Sequence, residues 1–104
     1  VPVSINTGRG RYFLKIAAPD RRTDEGLVLT LVLERDDGIE RVAFQCRIAA
    51  DLLDPAANTE AVLVRLAPWL EREFEMTREN ALKAIRSERR MMELAFDSGN
   101  RGPL

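Results

Sequence analysis

The sequence predicts an α+β domain: a three-stranded, mostly antiparallel sheet, then a short connector helix and a long C-terminal helix. Three observations carry this. Apolar and polar residues alternate in three runs, over residues 11–17, 27–35 and 39–48. An Asp36-Asp37-Gly38 turn joins the second run to the third. From Thr59 onward the apolar spacing changes from two to three and four, the period of a helix.

Residues 1–10 read as a flexible loop, since Pro2, Asn6, Gly8 and Gly10 punctuate them without an apolar period. The first strand is expected over 11–17, where Tyr12, Leu14 and Ile16 alternate with Phe13 and Lys15. Residues 18–26 read as a charged loop with Pro19 and Asp20 as turn formers. The second strand, 27–35, places Leu27, Leu29, Leu31 and Leu33 on one face and Val28, Thr30 and Val32 on the other. Apolar residues on both faces suit a central strand, or one whose second face meets a partner. Gly38 supplies the turn's positive φ. On the return strand, Val42, Phe44, Cys46 and Ile48 share one face, and Arg41, Ala43, Gln45 and Arg47 share the other.

Residues 49–54 read as the connector. Asp54-Pro55 has the form of a helix cap followed by proline at the first helical position. The helical pattern then runs over 59–97 through Leu63, Leu66, Leu70, Phe74, Leu82, Ile85, Met92 and Phe96. Two readings fit it: one helix kinked at Pro68, or two helices broken near Thr77. No glycine lies between Gly38 and Gly99, which favours the continuous helix. It would approach ~60 Å at ~1.5 Å per residue. Such a helix overhangs a domain of this length, so its stripe needs a partner. Residues 98–104 read as a flexible tail. The whole chain, 1–104, is one domain at 104 residues and 11.8 kDa.

Composition excludes several chemistries. There is no histidine and one cysteine, Cys46, so His-based triads, His-rich metal sites and an internal disulfide are out. A lone thiol on an apolar strand face reads as a small buried hydrophobe and suits a reducing cytoplasm. No apolar run approaches the ~18 residues of a membrane span. Sixteen basic residues oppose 17 acidic ones, for a net charge of -1, so nucleic-acid binding is not expected from charge alone. Only Lys15 and Lys83 are lysine; the other 14 basic residues are arginine. Either a GC-rich bacterial genome or selection for bidentate guanidinium contacts explains that bias.

No catalytic constellation emerges. Glu71, Glu75 and Glu79 share a helix face, which reads as a cation site or, more simply, as a solvated face. Lys83, Arg86, Arg89 and Arg90 cluster on one helical stripe and are the candidate anion contacts, although Glu79 and Glu93 lace them at spacing four. Gly8-Arg9-Gly10-Arg11 and Arg21-Arg22 are further basic spots on loops. The candidate interface residues are Met91, Met92, Leu94, Phe96 and Trp69, because methionine and aromatic side chains adapt to and anchor contacts.

The segment from Asp37-Gly38 through Val42, then Cys46-Arg47-Ile48-Ala49-Ala50-Asp51-Leu52-Leu53 and an amphipathic helix, resembles a small bacterial family, domain of unknown function 1488. The resemblance covers residues 29–74 and departs from the family in its longer helix, with no further strand expected after it. It implies a small cytoplasmic α+β module without catalytic residues or cofactor. The expected function is a non-enzymatic protein-interaction module that forms a homodimer through its long amphipathic helix. The alternative is a regulatory domain binding nucleic acid or another polyanion through its arginines. A small-ligand cleft near Trp69 is a third reading.

Overall fold

The chain alternates its apolar residues so that one face of a sheet buries and the other stays open. The computed structural model describes residues 2–54, 56–86 and 92–95, with backbone only at 85, 86 and 92–95. Strands β1 (Ser4–Thr7), β2 (Gly10–Thr23), β3 (Gly26–Arg35) and β4 (Arg41–Ala49) form an antiparallel meander in sequence order. A short strand, β5 (Met92–Ala95), lies parallel to β4 at the far edge. The fold is therefore α+β, as expected, but the sheet is larger than the three strands expected.

Register follows from the period of two. Leu27, Leu29, Leu31 and Leu33 stand opposite Ile48, Cys46, Phe44 and Val42, and all eight are buried on the inner face. Ile5, Tyr12 and Leu14 extend that face across β1 and β2. Register shifts between Ile16 and Ala18, and again between Ala18 and Arg21, curl β2.

A short 3-10 helix, Ala50–Leu52, leaves β4 where the connector is expected. Helices α1 (Thr59–Arg72) and α2 (Phe74–Arg86) then cover the inner face. The α1 cap is Asn58, whose side-chain oxygen accepts from the Ala61 N–H at 2.8 Å. Asp54 does not cap the helix. Its Oδ1 accepts from the Ala56 N–H at 2.9 Å in a local turn, and Pro55 lies outside the described residues. Val62, Leu63, Leu66, Trp69 and Leu70 of α1, and Phe74, Thr77 and Ala81 of α2, turn toward the strands. The α1 helix packs against β1 and β2, whereas α2 packs against β4 and β5.

Four expectations are corrected here. Residues 4–7 are a strand, although only Ile5 buries there, and one apolar residue gives no readable period. The charged segment 18–26 is largely strand: β2 runs to Thr23, and charge, Pro19 and bulges suit its exposed edge. The long helix is two helices, and the break falls at Glu73 rather than at Pro68 or near Thr77. Glu73 has φ -96° and ψ 12°, while Pro68 lies inside α1 and Thr77 is buried within α2. The reason is dimensional. The described residues extend 35 × 32 × 26 Å, into which a straight ~58 Å helix would not fit. Finally, 92–95 is strand, not helix, so a further strand does follow the helices. Met-Glu-Leu-Ala satisfies both periods, and four residues cannot separate them. The expected flexible tail, 98–104, lies outside the described residues. No described helix is long and apolar enough to cross a membrane.

Candidate functional site

Of the residues proposed from sequence as an interface, Trp69 is the one whose side chain is described. Trp69 is only 8% exposed and belongs to the core. Met92 and Leu94 lie on β5, in register with Phe44 and Cys46, and not at a helix end. Met91 and Phe96 lie outside the described residues. The part of the expected stripe from Val62 to Ala81 is used internally, since Val62, Leu63, Leu66, Leu70, Phe74 and Ala81 all pack on the chain's own sheet.

Of the expected anion contacts, Lys83 is the one whose side chain is described. Lys83 is exposed on α2, Arg86 ends that helix, and Arg89 and Arg90 lie outside the described residues. Arg22 donates to the Ala57 carbonyl at 3.3 Å on the helix side of the sheet. Arg9 pairs with Glu75 at 2.9 Å, and Glu71 accepts the Asn6 N–H at 2.9 Å. Two of the three glutamates on that helix face thus tie α1 and α2 to the β1–β2 hairpin. No group of three potential metal ligands occurs among the described residues.

One polar cluster is half-buried. The Arg78 guanidinium of α2 donates to Glu40, just before β4, and its second nitrogen lies 3.4 Å from the other carboxylate oxygen. This donation holds the Glu40 carboxyl below the ordinary carboxylate range, against the opposing effect of burial. Beside it, the Tyr12 ring packs on Phe74 with centroids 4.6 Å apart. Burial, and then the Glu40 carboxylate, raise the Tyr12 phenol. The Tyr12 hydroxyl nevertheless makes no well-aligned hydrogen bond, and neither does the Thr77 hydroxyl. The cluster joins β2, the residue before β4 and α2, with the Arg78 and Glu40 side chains 20% and 23% exposed. It is a structural tie. Cys46 is fully enclosed, and burial pushes its thiol up to about 12.

The outer face of the sheet is different in kind. No described helix covers it, and the cross-strand register lays it out in four rows. Phe13, Glu34 and Arg41 form the first; Lys15, Val32 and Ala43 the second. Ala18, Thr30 and Gln45 form the third; Arg21, Val28 and Arg47 the fourth. Arg11 precedes Phe13 on the same face, with its guanidinium carbon 5.1 Å from the ring centroid. Five cationic residues thus share this face: Arg11, Lys15, Arg21, Arg41 and Arg47. Glu34 is the one acidic side chain described there, and Glu93 of β5 stands beside Gln45 in the register.

Glu34 bridges Lys15 at 2.9 Å and Arg41 at 3.2 Å. Lys15 in particular holds its carboxyl below the ordinary range. Both cations keep more than half of their side-chain surface exposed, 55% and 64%, so the bridges leave them accessible to a second anion. At the Arg21–Arg47 end, a cleft of about 250 Å³ opens between the β2–β3 turn and the end of β4, lined by Thr23, Gly26, Val28 and Arg47 among others.

Of these five cations, the sequence alone offered Arg11 and Arg21 as loop residues and placed Arg41 and Arg47 on one strand face. The signal that joins them is strand parity. It becomes usable only once β2 is known to continue past its bulges and to pair with β3. Comparison with protein-family models, with curated proteins and with solved structures finds no match to this chain.

Proposed function

We propose that the chain is a non-enzymatic binding module that takes an extended polyanion on the outer face of its sheet. One observation carries this reading: five cationic residues converge on one open face of a chain whose net charge is -1. Charge this segregated creates a local positive field that the net charge conceals. From the first row to the fourth spans six residues of β3, about 20 Å at ~3.4 Å per residue, which suits a linear ligand better than a small one. The floor between the two charged ends is built of Ala18, Thr30 and Ala43, all half-buried, around Val32, which is only 4% exposed, and a strand can lie over these short side chains.

The test is fluorescence anisotropy with labelled long-chain polyphosphate over a salt series. Binding is expected at 50 mM salt and should weaken by about 100-fold at 200 mM if all five cations engage, from a slope of ~0.7 per contact. The double variant Arg41→Glu, Arg47→Glu should lose at least about 10-fold, with its circular dichroism unchanged. Lys83→Glu, on α2, should bind as the wild type does, which separates the sheet face from the helical arginine stripe. Absence of binding at 50 mM salt, or equal loss in Lys83→Glu, refutes the proposal.

A further inference from the structure

We infer that the polyanion is a single-stranded nucleic acid, with Phe13 and Arg11 forming the station on which a base stacks. The inference rests on the reading just proposed and adds what the ligand must carry besides charge. Phe13 is the observation that calls for more. Among the described aromatic residues, Tyr12, Phe44, Trp69 and Phe74 are buried in the core, and Phe13 alone stands on the outer face, half-buried. Among the described residues no second layer covers that face, so packing against such a layer does not account for the ring.

Arg11 lies over the ring, with its guanidinium carbon 5.1 Å from the centroid. A guanidinium on an aromatic ring presents two flat π-faces in succession, and bases stack on both kinds of surface. Bare polyphosphate has no use for such a surface, whereas a nucleobase does. The third row adds neutral hydrogen-bonding groups, Thr30 and Gln45, both half-buried at the centre of the floor. They are suited to base edges and are redundant for a ligand recognised by charge alone. Lys15, Arg41, Arg21 and Arg47 lie at the two ends, where phosphates on either side of the floor would fall. Stacking on Phe13 needs an unpaired base. A duplex keeps its bases stacked on one another, so a single strand is the ligand that uses every feature of the face.

The experiment compares three labelled probes on the full chain at low salt: an oligothymidine of about 10 nucleotides, the abasic strand of the same length, and the corresponding duplex. The oligothymidine should bind at least about 10-fold tighter than the abasic strand. Phe13→Ala should bring the oligothymidine down to the abasic level, while Phe13→Trp keeps the preference. Thermal melting confirms that each variant folds; if Phe13→Ala does not, Phe13→Leu and the abasic comparison still decide. Equal binding of oligothymidine and abasic strand, both sensitive to Arg41→Glu, would sink this inference and leave the polyanion reading standing. Tighter binding of the duplex would sink it as well. No binding of any probe, together with none to polyphosphate, would remove both.

Discussion

Gly26 opens β3 at φ +141°, and a Cβ built there would lie 2.0 Å from the Ile48 carbonyl oxygen. The same Cβ would meet the Ala50 nitrogen at 2.9 Å and the Ala49 carbonyl carbon at 3.0 Å. All three are backbone atoms, so no side-chain rotation relieves the clash. Gly26→Ala must therefore push β3 away from the end of β4. The strained φ costs ~1–3 kcal/mol. Displacement also threatens the bond from the Ala50 N–H to the Glu25 carbonyl, 2.9 Å in the native structure, at ~1 kcal/mol net. Together these come to about 3 kcal/mol, a large share of the ~5–15 kcal/mol that holds an ordinary domain. The melting temperature should fall by about 10–20 °C, read by far-ultraviolet circular dichroism. Gly38 is the internal control. It also has positive φ, +74°, but nothing lies within 4 Å of its built Cβ, so Gly38→Ala should cost only ~1 kcal/mol. If Gly26→Ala melts within a few degrees of the wild type, or no lower than Gly38→Ala, the close approach of the two backbones is not as described.

Three further outcomes follow from the buried groups. Glu40 has its folded pKa depressed by Arg78, so its stabilising effect is present above the ordinary value near ~4.3 and is lost as pH falls through the depressed one. Thermal melts from pH 7 to pH 3 should show the wild type losing stability more steeply than Glu40→Gln; parallel curves would remove Glu40 from the account. Thr77 buries an unpaired hydroxyl, so Thr77→Val should raise the urea midpoint by the equivalent of ~1 kcal/mol, and a lowered midpoint would reveal a partner for that hydroxyl. Cys46 should ignore a thiol reagent in native buffer and react once guanidinium unfolds the chain, since burial holds its thiol protonated up to about 12. Rapid native labelling would contradict that burial.

The β3–β4 hairpin was fully legible because its two strands carry strict alternation and are joined by an Asp-Gly turn. Leu27 to Leu33 and Val42 to Ile48 were placed on the correct face from period alone. The elements that escaped were those whose local pattern was short or suppressed. Ile5 buries in a strand of four residues, and the later half of β2 is an edge whose charges hide its extension. The helix break escaped for another reason: Glu73 has no helix-breaking chemistry. The break sets α1 against β1 and β2 and α2 against β4 and β5, contacts that the sequence of 59–86 does not record. The candidate binding face was legible only as fragments, because its cations come from two strands that do not pair with each other, β2 and β4, and two bulges stand between Lys15 and Arg21.

The break at Glu73 and the open outer face are linked by supply. The helical residues that bury are Val62, Leu63, Leu66, Trp69 and Leu70 in α1, then Phe74, Thr77 and Ala81 in α2. Folded into a pair, they cover the inner face from β1 to β4, and Val64 and Met76 are the large apolar side chains left exposed on the described helices, too few for a second layer. The outer face must then satisfy water directly, and a sheet face that meets water on its own needs charge and short polar side chains. Solvation alone, however, is indifferent to the sign of that charge. Acidic residues are as numerous as basic ones in this chain, and they are spent on the turns and helices: Asp36, Asp37, Glu71, Glu75 and Glu79. A face with five cations against Glu34 and the neighbouring Glu93 is more biased than solubility requires. That excess, with an aromatic ring set among the cations, separates a binding surface from a merely solvated one.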